Sequence, residues 1–282
     1  MQVKNLILSA FSDEYADSAE EQARALATLG ISYTEVRHLD GKNVSVMNED
    51  EVRAAKEVFD RNHIRVSAIG SPIGKIALDG DLRAHFEMAE RVLSYARLFG
   101  ARFVRIFSFY APVGKNISDM KNEVLFALGE LIGLARRYGI TLCHENEAGI
   151  YGDTPKRVHE LLYHFGGELK CVFDMGNFVL EGVDPYPNAY EMLRDYIAYF
   201  HIKDALFEGA IVPPGKGEAK IQKILSAHKT YAKEDFFVSL EPHLQTFSGL
   251  NALVGRNFKN PYQYPDQKTA FVDALNKFKE LM

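Results

Sequence analysis

The chain has 282 residues, of which 47% are hydrophobic and 25% are charged, and this composition excludes a disordered or fibrous protein. The formal net charge of −5 gives no broad electrostatic attraction to nucleic acid or to an anionic membrane, so we expect neither as a partner. The first apolar run is short and charged residues follow it at once, which favours a first strand over a signal peptide or membrane span and predicts a cytoplasmic protein.

Eight short runs of β-branched or apolar residues alternate along the chain with longer segments of helical periodicity. This alternation predicts βα units with a parallel sheet, and eight units predict a (β/α)8 TIM barrel that spans residues 1–282 as a single domain. The predicted strands, in chain order, are Leu6–Ala10, Tyr33–Arg37, Val66–Gly70, Phe103–Phe107, Thr141–Glu145, Cys171–Asp174, Tyr199–Lys203 and Phe236–Glu241.

The helices between these runs have recognisable ends. Ser18 stands where an N-cap is expected, and the helix that it begins is predicted to end at Gly30. Gly100 and Gly139 follow two further helical stripes at the position where a left-handed residue closes the last turn. The final helix is predicted at Lys268–Leu281.

The last four predicted strands end in residue types that ligate metals. The fifth offers Glu145 or Glu147, and the next three offer Asp174, His201 and Glu241. Catalytic groups of such barrels lie at the carboxyl ends of the strands, although a single acid there is as often a helix N-cap. Three carboxylates and an imidazole in one cavity would be unfavourable without a cation, so together they predict a divalent metal site.

Four segments resemble the xylose isomerase-like sugar phosphate isomerase/epimerase superfamily, which also contains ketose 3-epimerases, inosose dehydratases and endonuclease IV. They are HENEAGIYGDT, VFDMGNFVLEGVDP, YFHIKDA and VPPGKGE, and the resemblance covers nearly the whole chain. It implies that Glu145, Asp174, His201 and Glu241 are the metal ligands. Glu145 is preferred to Glu147 because an asparagine follows it, as in the family motif.

One position departs from the family pattern. Asn177 stands where many members have a histidine, and an amide can hydrogen-bond a substrate hydroxyl but is a poor ligand for a second metal. We therefore expect one ion per chain. A site of mostly oxygen ligands with one imidazole suits Mn²⁺, Mg²⁺, Co²⁺ or Zn²⁺, with Mn²⁺ the first choice.

The resemblance implies a metal-dependent isomerase or epimerase that acts on a small sugar, sugar phosphate or polyol. The ion would stabilise an enediolate as the carbon next to a carbonyl loses its proton, and Glu145 and Glu241 would remove and return that proton. Asn177, Lys203 and His243 are the predicted substrate-binding residues, because each lies at or just beyond a strand end.

Several charged residues have two interpretations. Lys203 either holds a substrate oxygen or forms an ion pair with Glu35 or Asp204. Glu35 and Arg37 share one side of the second strand and are predicted to belong to a layer of ion pairs inside the barrel. Lys216 lies in a Gly-rich turn without the spacing of a P-loop, so a phosphorylated substrate is left open.

Three alternatives to an isomerase remain at this point. A lyase of the inosose dehydratase kind would use the same metal. A DNA repair endonuclease would need further histidine ligands, which the third and fourth strand ends lack, and a non-catalytic sugar-binding barrel has the same fold. A homo-oligomer is possible. The irregular stretch Pro242–Asp266 is expected to supply substrate or subunit contacts near the mouth, with Phe247 and Arg256 as candidates.

Overall fold

Eight parallel strands form one sheet in the computed structural model, which describes residues 3–245 and 261–282. Their bounds differ from the sequence prediction by at most two residues, which confirms all eight runs. The strands are β1 Leu6–Ala10, β2 Tyr33–Val36, β3 Arg65–Gly70, β4 Phe103–Ile106, β5 Thr141–Glu145, β6 Lys170–Asp174, β7 Ile197–Ile202 and β8 Phe236–Leu240. Two short antiparallel hairpins, His38–Leu39 with Lys42–Asn43 and Asp204–Ala205 with Ile211–Val212, follow β2 and β7.

Helices lie between the strands and bury their apolar faces against the outer side of the sheet. The described α-helices are α1 Ala19–Leu29, α2 Glu49–Arg61, α3 Leu82–Phe99, α4 Lys121–Tyr138, α5 Pro155–His164, α6 Met175–Leu180, α7 Tyr190–Leu193, α8 Ile221–Tyr231 and α9 Gln267–Leu281. Within the described ranges, no helix is both long and apolar enough to cross a membrane.

The predicted helix ends are confirmed. The Ser18 hydroxyl accepts a hydrogen bond from the backbone N–H of Glu21 at 3.2 Å, which caps α1. Gly30, Gly100 and Gly139 close α1, α3 and α4 with φ of 73°, 72° and 68°. This left-handed conformation costs glycine little because it has no Cβ. Short loops can therefore return the chain to the next strand.

The barrel is nearly closed. The hydrogen-bonded strand order is β2-β3-β4-β5-β6-β7-β8-β1, and side-chain hydroxyls bridge the remaining seam between β1 and β2. Thr34 Oγ1 donates to the carbonyl of Ala10 at 3.1 Å and lies 2.8 Å from Ser12 Oγ. Ser9 and Ser67 share a hydroxyl hydrogen bond of 2.7 Å across the same region. The fold is therefore the predicted (β/α)8 barrel, whereas the extent of the domain, residues 1–282, stays a prediction.

The inside of the barrel changes character along the strands. Its lower part is a small apolar cluster whose buried members are Ala68, Phe103, Cys143, Val172 and Tyr199. Side chains on a strand alternate between its two faces, so the residue two positions further on points to the same interior. On β4, β5, β6 and β7 those residues are Arg105, Glu145, Asp174 and His201. The strands thus bring ionic side chains together at their carboxyl ends.

Candidate functional site

The four predicted metal ligands meet at the carboxyl ends of β5 to β8. One ligand atom from each of Glu145, Asp174, His201 and Glu241 lies within 4.8 Å of the others, and no side chain among them is more than 4% exposed. Asp174 stands opposite His201 in the β6–β7 register, which places them at the same height in the barrel. We call these four residues the acid–histidine cluster.

His201 lies in the middle of this cluster. Its Nδ1 is 3.0 Å from Glu145 Oε1, 3.2 Å from Glu241 Oε2 and 3.9 Å from Asp174 Oδ2. Burial by itself would lower the pKa of the imidazole, but Glu145, Glu35 and Glu241 outweigh it and hold the pKa of His201 well above its ordinary value. Positive charge is therefore strongly favoured at the centre of the cluster.

The second nitrogen of His201 faces a carboxylate outside the cluster. Nε2 is 3.1 Å from Glu35 Oε2, and the Tyr199 hydroxyl donates to Glu35 Oε1 at 2.9 Å. All three side chains are buried. A carboxylate at one nitrogen orients the ring and sets the tautomer, which leaves Nδ1 to face a cation. Glu35 lies inside the barrel as expected, but the sequence did not indicate this partner.

Lys203 points into the cluster from the end of β7. Its Nζ donates to Asp174 Oδ2 at 2.9 Å and lies 3.0 Å from Glu241 Oε2. These acids are its ion-pair partners in the described part of the chain, so the alternative pairing with Glu35 or Asp204 is wrong. Burial raises the pKa of Asp174 to about 7, although the Lys203 ammonium opposes the shift.

Two asparagines hold the ends of β5 and β6 together. Asn146 Nδ2 donates to the Asp174 carbonyl at 2.9 Å, and the Asp174 N–H donates back to Asn146 Oδ1 at 3.0 Å. Asn177 Nδ2 donates to the Asn146 carbonyl at 2.9 Å and to Glu145 Oε1 at 3.3 Å. Asn177 thus lies beside the cluster, and its role in substrate binding stays a prediction; Asn146, the residue after Glu145, links the ends of the two strands.

Arg37 borders the cluster on the side of β2. Its guanidinium binds both oxygens of Asp13, at 2.8 and 3.1 Å, and donates to Glu241 Oε1 at 2.9 Å. Glu14, Glu241 and His243 also have possible ligand atoms within 4.8 Å of one another, but Arg37 already supplies positive charge to Glu241 and Glu14. His243 Nε2 lies 3.4 Å from Glu241 Oε1, so this predicted substrate-binding residue reaches the site.

The donor set of the acid–histidine cluster fits a divalent cation. Glu145 Oε2 and Glu241 Oε2 are buried and accept no hydrogen bond within the described residues, although Arg105 Nη1 and Lys203 Nζ lie 3.1 and 3.0 Å from them. Carboxylate oxygens with lone pairs to spare, together with one imidazole nitrogen, are ligands that hard and borderline divalent ions accept.

Other predicted residues lie elsewhere. Glu147, the alternative to Glu145, is partly exposed and pairs with Lys75 at 3.3 Å, outside the cluster. Phe247 and Arg256 fall outside the described residues. Sequence reasoning missed Arg105, whose Nη1 contacts Glu145; the available signal was a charged residue in the apolar run FVRIF of β4.

Comparison with known proteins connects this geometry to a family. A profile described as xylose isomerase-like TIM barrel matches residues 23–257. The structure is similar to a probable 3-DHS dehydratase of Bacillus anthracis involved in petrobactin synthesis (17% identity, 96% of this chain and 97% of that chain, TM-score 0.70). It also resembles D-allulose 3-epimerase from Methylomonas sp. in complex with D-allulose (15% identity, 100% of this chain and 99% of that chain, TM-score 0.74).

A third similar structure is a xylose isomerase-like TIM barrel protein from Mycobacterium smegmatis in complex with magnesium (14% identity, 100% of this chain and 97% of that chain, TM-score 0.68). At these identities the likeness shows the fold. A search of curated proteins found no match.

Proposed function

Because the chain belongs to the xylose isomerase-like TIM barrel family, we propose that it is a divalent-metal-dependent isomerase or epimerase of a small sugar or sugar derivative. The reaction would move a proton on the carbon next to a carbonyl group. The observation that carries this proposal is the buried acid–histidine cluster, in which two carboxylate oxygens accept no hydrogen bond from the described residues.

Glu145, Asp174, His201 and Glu241 would hold the metal, with His201 contributing Nδ1 because Glu35 takes Nε2. When bound, the ion would neutralise the negative charge that develops on the oxygen of a substrate carbonyl. Mn²⁺ stays our first choice among Mn²⁺, Mg²⁺, Co²⁺ and Zn²⁺, and we expect one ion per chain.

The two glutamates are suited to proton transfer. Glu145 ends β5 and Glu241 follows β8. The strands β6 and β7 lie between them, so the two glutamates approach the barrel mouth from different positions around it. Burial would raise the pKa of Glu145, but His201 and Arg105 outweigh it and lower the pKa to about 2. The carboxylate is therefore ionised at neutral pH, which is the form that binds a cation and the form that a proton acceptor must have. We assign removal and return of the substrate proton to these two groups.

Substrate oxygens would be held by residues that border the cluster. Lys203 and Asn177 are joined by a hydrogen bond of 3.2 Å beside Asp174, and His243 lies next to Glu241. These positions let the three residues contact hydroxyl groups on carbons next to the reacting one.

The test combines metal analysis with proton exchange. The purified protein should contain about one divalent ion per chain, and Asp174→Ala should lose it. With ketoses, aldoses and inososes in deuterated water, the loaded protein should exchange a carbon-bound proton of at least one substrate. A product lighter by one water would identify a dehydratase instead.

Substitution of the two bases sharpens the test. Glu145→Gln and Glu241→Gln should each lose at least about 10²-fold in turnover while keeping much of the metal, because the amide oxygen can still coordinate but no longer accepts the proton. Glu147→Gln is the matched control and should retain turnover. Near-normal turnover in both glutamine variants with metal bound would refute the assigned bases.

A further inference from the structure

Three cationic side chains are buried around the acid–histidine cluster, and they are not equally engaged. Arg37 has three acids within ion-pair distance, and Lys203 has two acids and an amide oxygen. Arg105 has one acid, Glu145, within 3.1 Å of its Nη1. Among the described residues, only this guanidinium appears with buried nitrogens that lack a hydrogen-bond partner.

The two nitrogens concerned are Nε and Nη2 of Arg105. They lie along one edge of the planar guanidinium, and together they carry three N–H groups. This edge matches the spacing of the two oxygens of a carboxylate, which it binds through two parallel hydrogen bonds. Arg105 therefore contacts a protein carboxylate through Nη1, whereas the edge formed by Nε and Nη2 has no acceptor among the described residues.

The surroundings place this edge at the mouth of the barrel. The Arg105 Cζ lies 4.5 Å from the centre of the Phe107 ring and 5.8 Å from that of Phe11, whose ring is 5.1 Å from the His201 ring. Gly70, the last residue of β3, packs closely beside the edge: a Cβ there would lie 2.9 Å from Nη2 and 2.5 Å from the Phe11 ring, so glycine is what lets Arg105 and Phe11 occupy this place. The edge is thus on the same side of the barrel as the acid–histidine cluster.

Burying charged donors without acceptors is costly, and such donors are satisfied by a water, an ion or a ligand that supplies the acceptor. We propose that Arg105 binds a carboxylate of the substrate through Nε and Nη2, so that the substrate is a sugar acid or a hydroxy keto acid and not a neutral sugar. This inference deepens the proposed function and rests on it for the location of the site.

A carboxylate fits better than a phosphate. The Gly-rich turn around Lys216 was the one candidate in the sequence for a phosphate site. Its backbone N–H groups bind a protein carboxylate instead: those of Gly215 and Gly217 donate to Asp204 Oδ2 at 2.8 and 3.0 Å. A planar carboxylate also matches the planar edge of Arg105, which leans on the Phe107 ring.

Binding of two unreactive polyols tests the proposal. D-gluconate and D-glucitol share a carbon chain and differ in one carboxylate, and their dissociation constants would be measured by calorimetry on the full chain loaded with Mn²⁺. We expect gluconate to bind at least about tenfold more tightly than glucitol, and we expect Arg105→Met to remove most of that preference. Arg105→Lys should restore little of it, because an ammonium has no two-nitrogen edge.

The control is Arg102→Met, an exposed arginine just before the start of the same strand, which should keep the preference. Metal content is measured for every variant because Arg105 also contacts Glu145. Equal affinity for the two polyols, or a gluconate preference that survives in metal-loaded Arg105→Met, overturns the inference. A stronger preference for D-glucitol 6-phosphate than for gluconate overturns it in favour of a phosphate.

A parallel exchange experiment separates this inference from the proposed function. D-fructuronate has a carboxylate that D-fructose lacks, and proton exchange with deuterated water would be followed for both. Exchange confined to fructuronate supports both proposals, and equal exchange of fructose overturns only the carboxylate subsite. The absence of exchange with any sugar or sugar acid counts against the proposed function, whereas the polyol affinities still decide the subsite.

Discussion

The imidazole of His201 has carboxylates against both ring nitrogens. On one side it faces three acids of the cluster, and on the other it faces Glu35, which Tyr199 in turn holds through a hydrogen bond of 2.9 Å. None of these contacts involves neighbours in sequence. We assign Glu35 a positioning role in the proposed metal site, because its carboxylate would orient the ring without itself belonging to the cluster.

Glu35→Gln should therefore lower the affinity for the divalent ion by roughly 10- to 100-fold, the usual cost of removing a carboxylate behind a ligating histidine. The glutamine keeps the shape and a weaker acceptor but removes the charge that strengthens the histidine as a ligand. Calorimetric titration of the metal-free protein with Mn²⁺ measures this directly. Glu147→Gln is the control, and an unchanged affinity in Glu35→Gln would exclude the positioning role.

Among the connecting elements, the Gly-rich loop after β7 is organised by one buried carboxylate. Asp204 accepts hydrogen bonds from the backbone N–H groups of Ala205, Gly215, Gly217 and Ala219 at 2.8 to 3.0 Å. The loop wraps closely around this side chain, which accounts for the Pro-Gly-x-Gly-Glu motif without a bound phosphate. Its position in the fold depends on close backbone approach to Asp204.

Gly217→Ala tests how tightly the loop is packed. An added Cβ would lie 2.3 Å from Asp204 Oδ1 and 2.5 Å from the Ala205 carbonyl oxygen, so we expect the free energy of unfolding to fall by about 1–3 kcal/mol. Gly133→Ala in α4 is the matched control. Nothing lies within 4 Å of its added Cβ, and we expect a gain of about 0.5–1 kcal/mol. Chemical denaturation measures both; equal effects would contradict this account.

For the whole molecule, closure of the barrel depends on the seam between β1 and β2. Backbone ladders join the other neighbouring strands, whereas Thr34 Oγ1 on β2 reaches the Ala10 carbonyl and Ser12 Oγ across this one, and a Ser9–Ser67 hydroxyl hydrogen bond joins β1 to β3. Glu35 lies on β2, and Arg37 is the first residue after that strand. The seam therefore also fixes the position along the barrel axis at which both residues meet the cluster. Loss of the seam should affect the stability of the fold and the geometry of the site together.

Thr34→Val removes the hydroxyl that serves both Ala10 and Ser12 and leaves their buried polar atoms with fewer partners. We expect a loss of about 1–3 kcal/mol in the free energy of unfolding, together with weaker metal binding. Thr28→Val, on the exposed side of α1, is the control and should change stability by no more than about 0.5 kcal/mol. A seam variant as stable as the control would show that the hydroxyl bridges contribute little to closure.

The eight strands, the helix ends and the four residues that the structure brings together at the barrel mouth were all predictable from the sequence. These features are readable because they depend on local signals: the period of side-chain alternation, the capping residues, and the residue that ends each strand. The family resemblance also distinguished Glu145 from Glu147 through the asparagine after it, and the structure places Asn146 across the ends of β5 and β6.

Which ionic groups face one another inside the barrel could not be predicted from the sequence and follows from the folded structure. Alternation indicates that Glu35, Arg37 and Lys203 point inward, but not at what height each meets the others. Arg37 meets Glu241, 204 positions away, and His201 meets Glu35, 166 positions away. Such pairs depend on the stagger of strands around the closed sheet, and no local pattern in the sequence encodes that stagger.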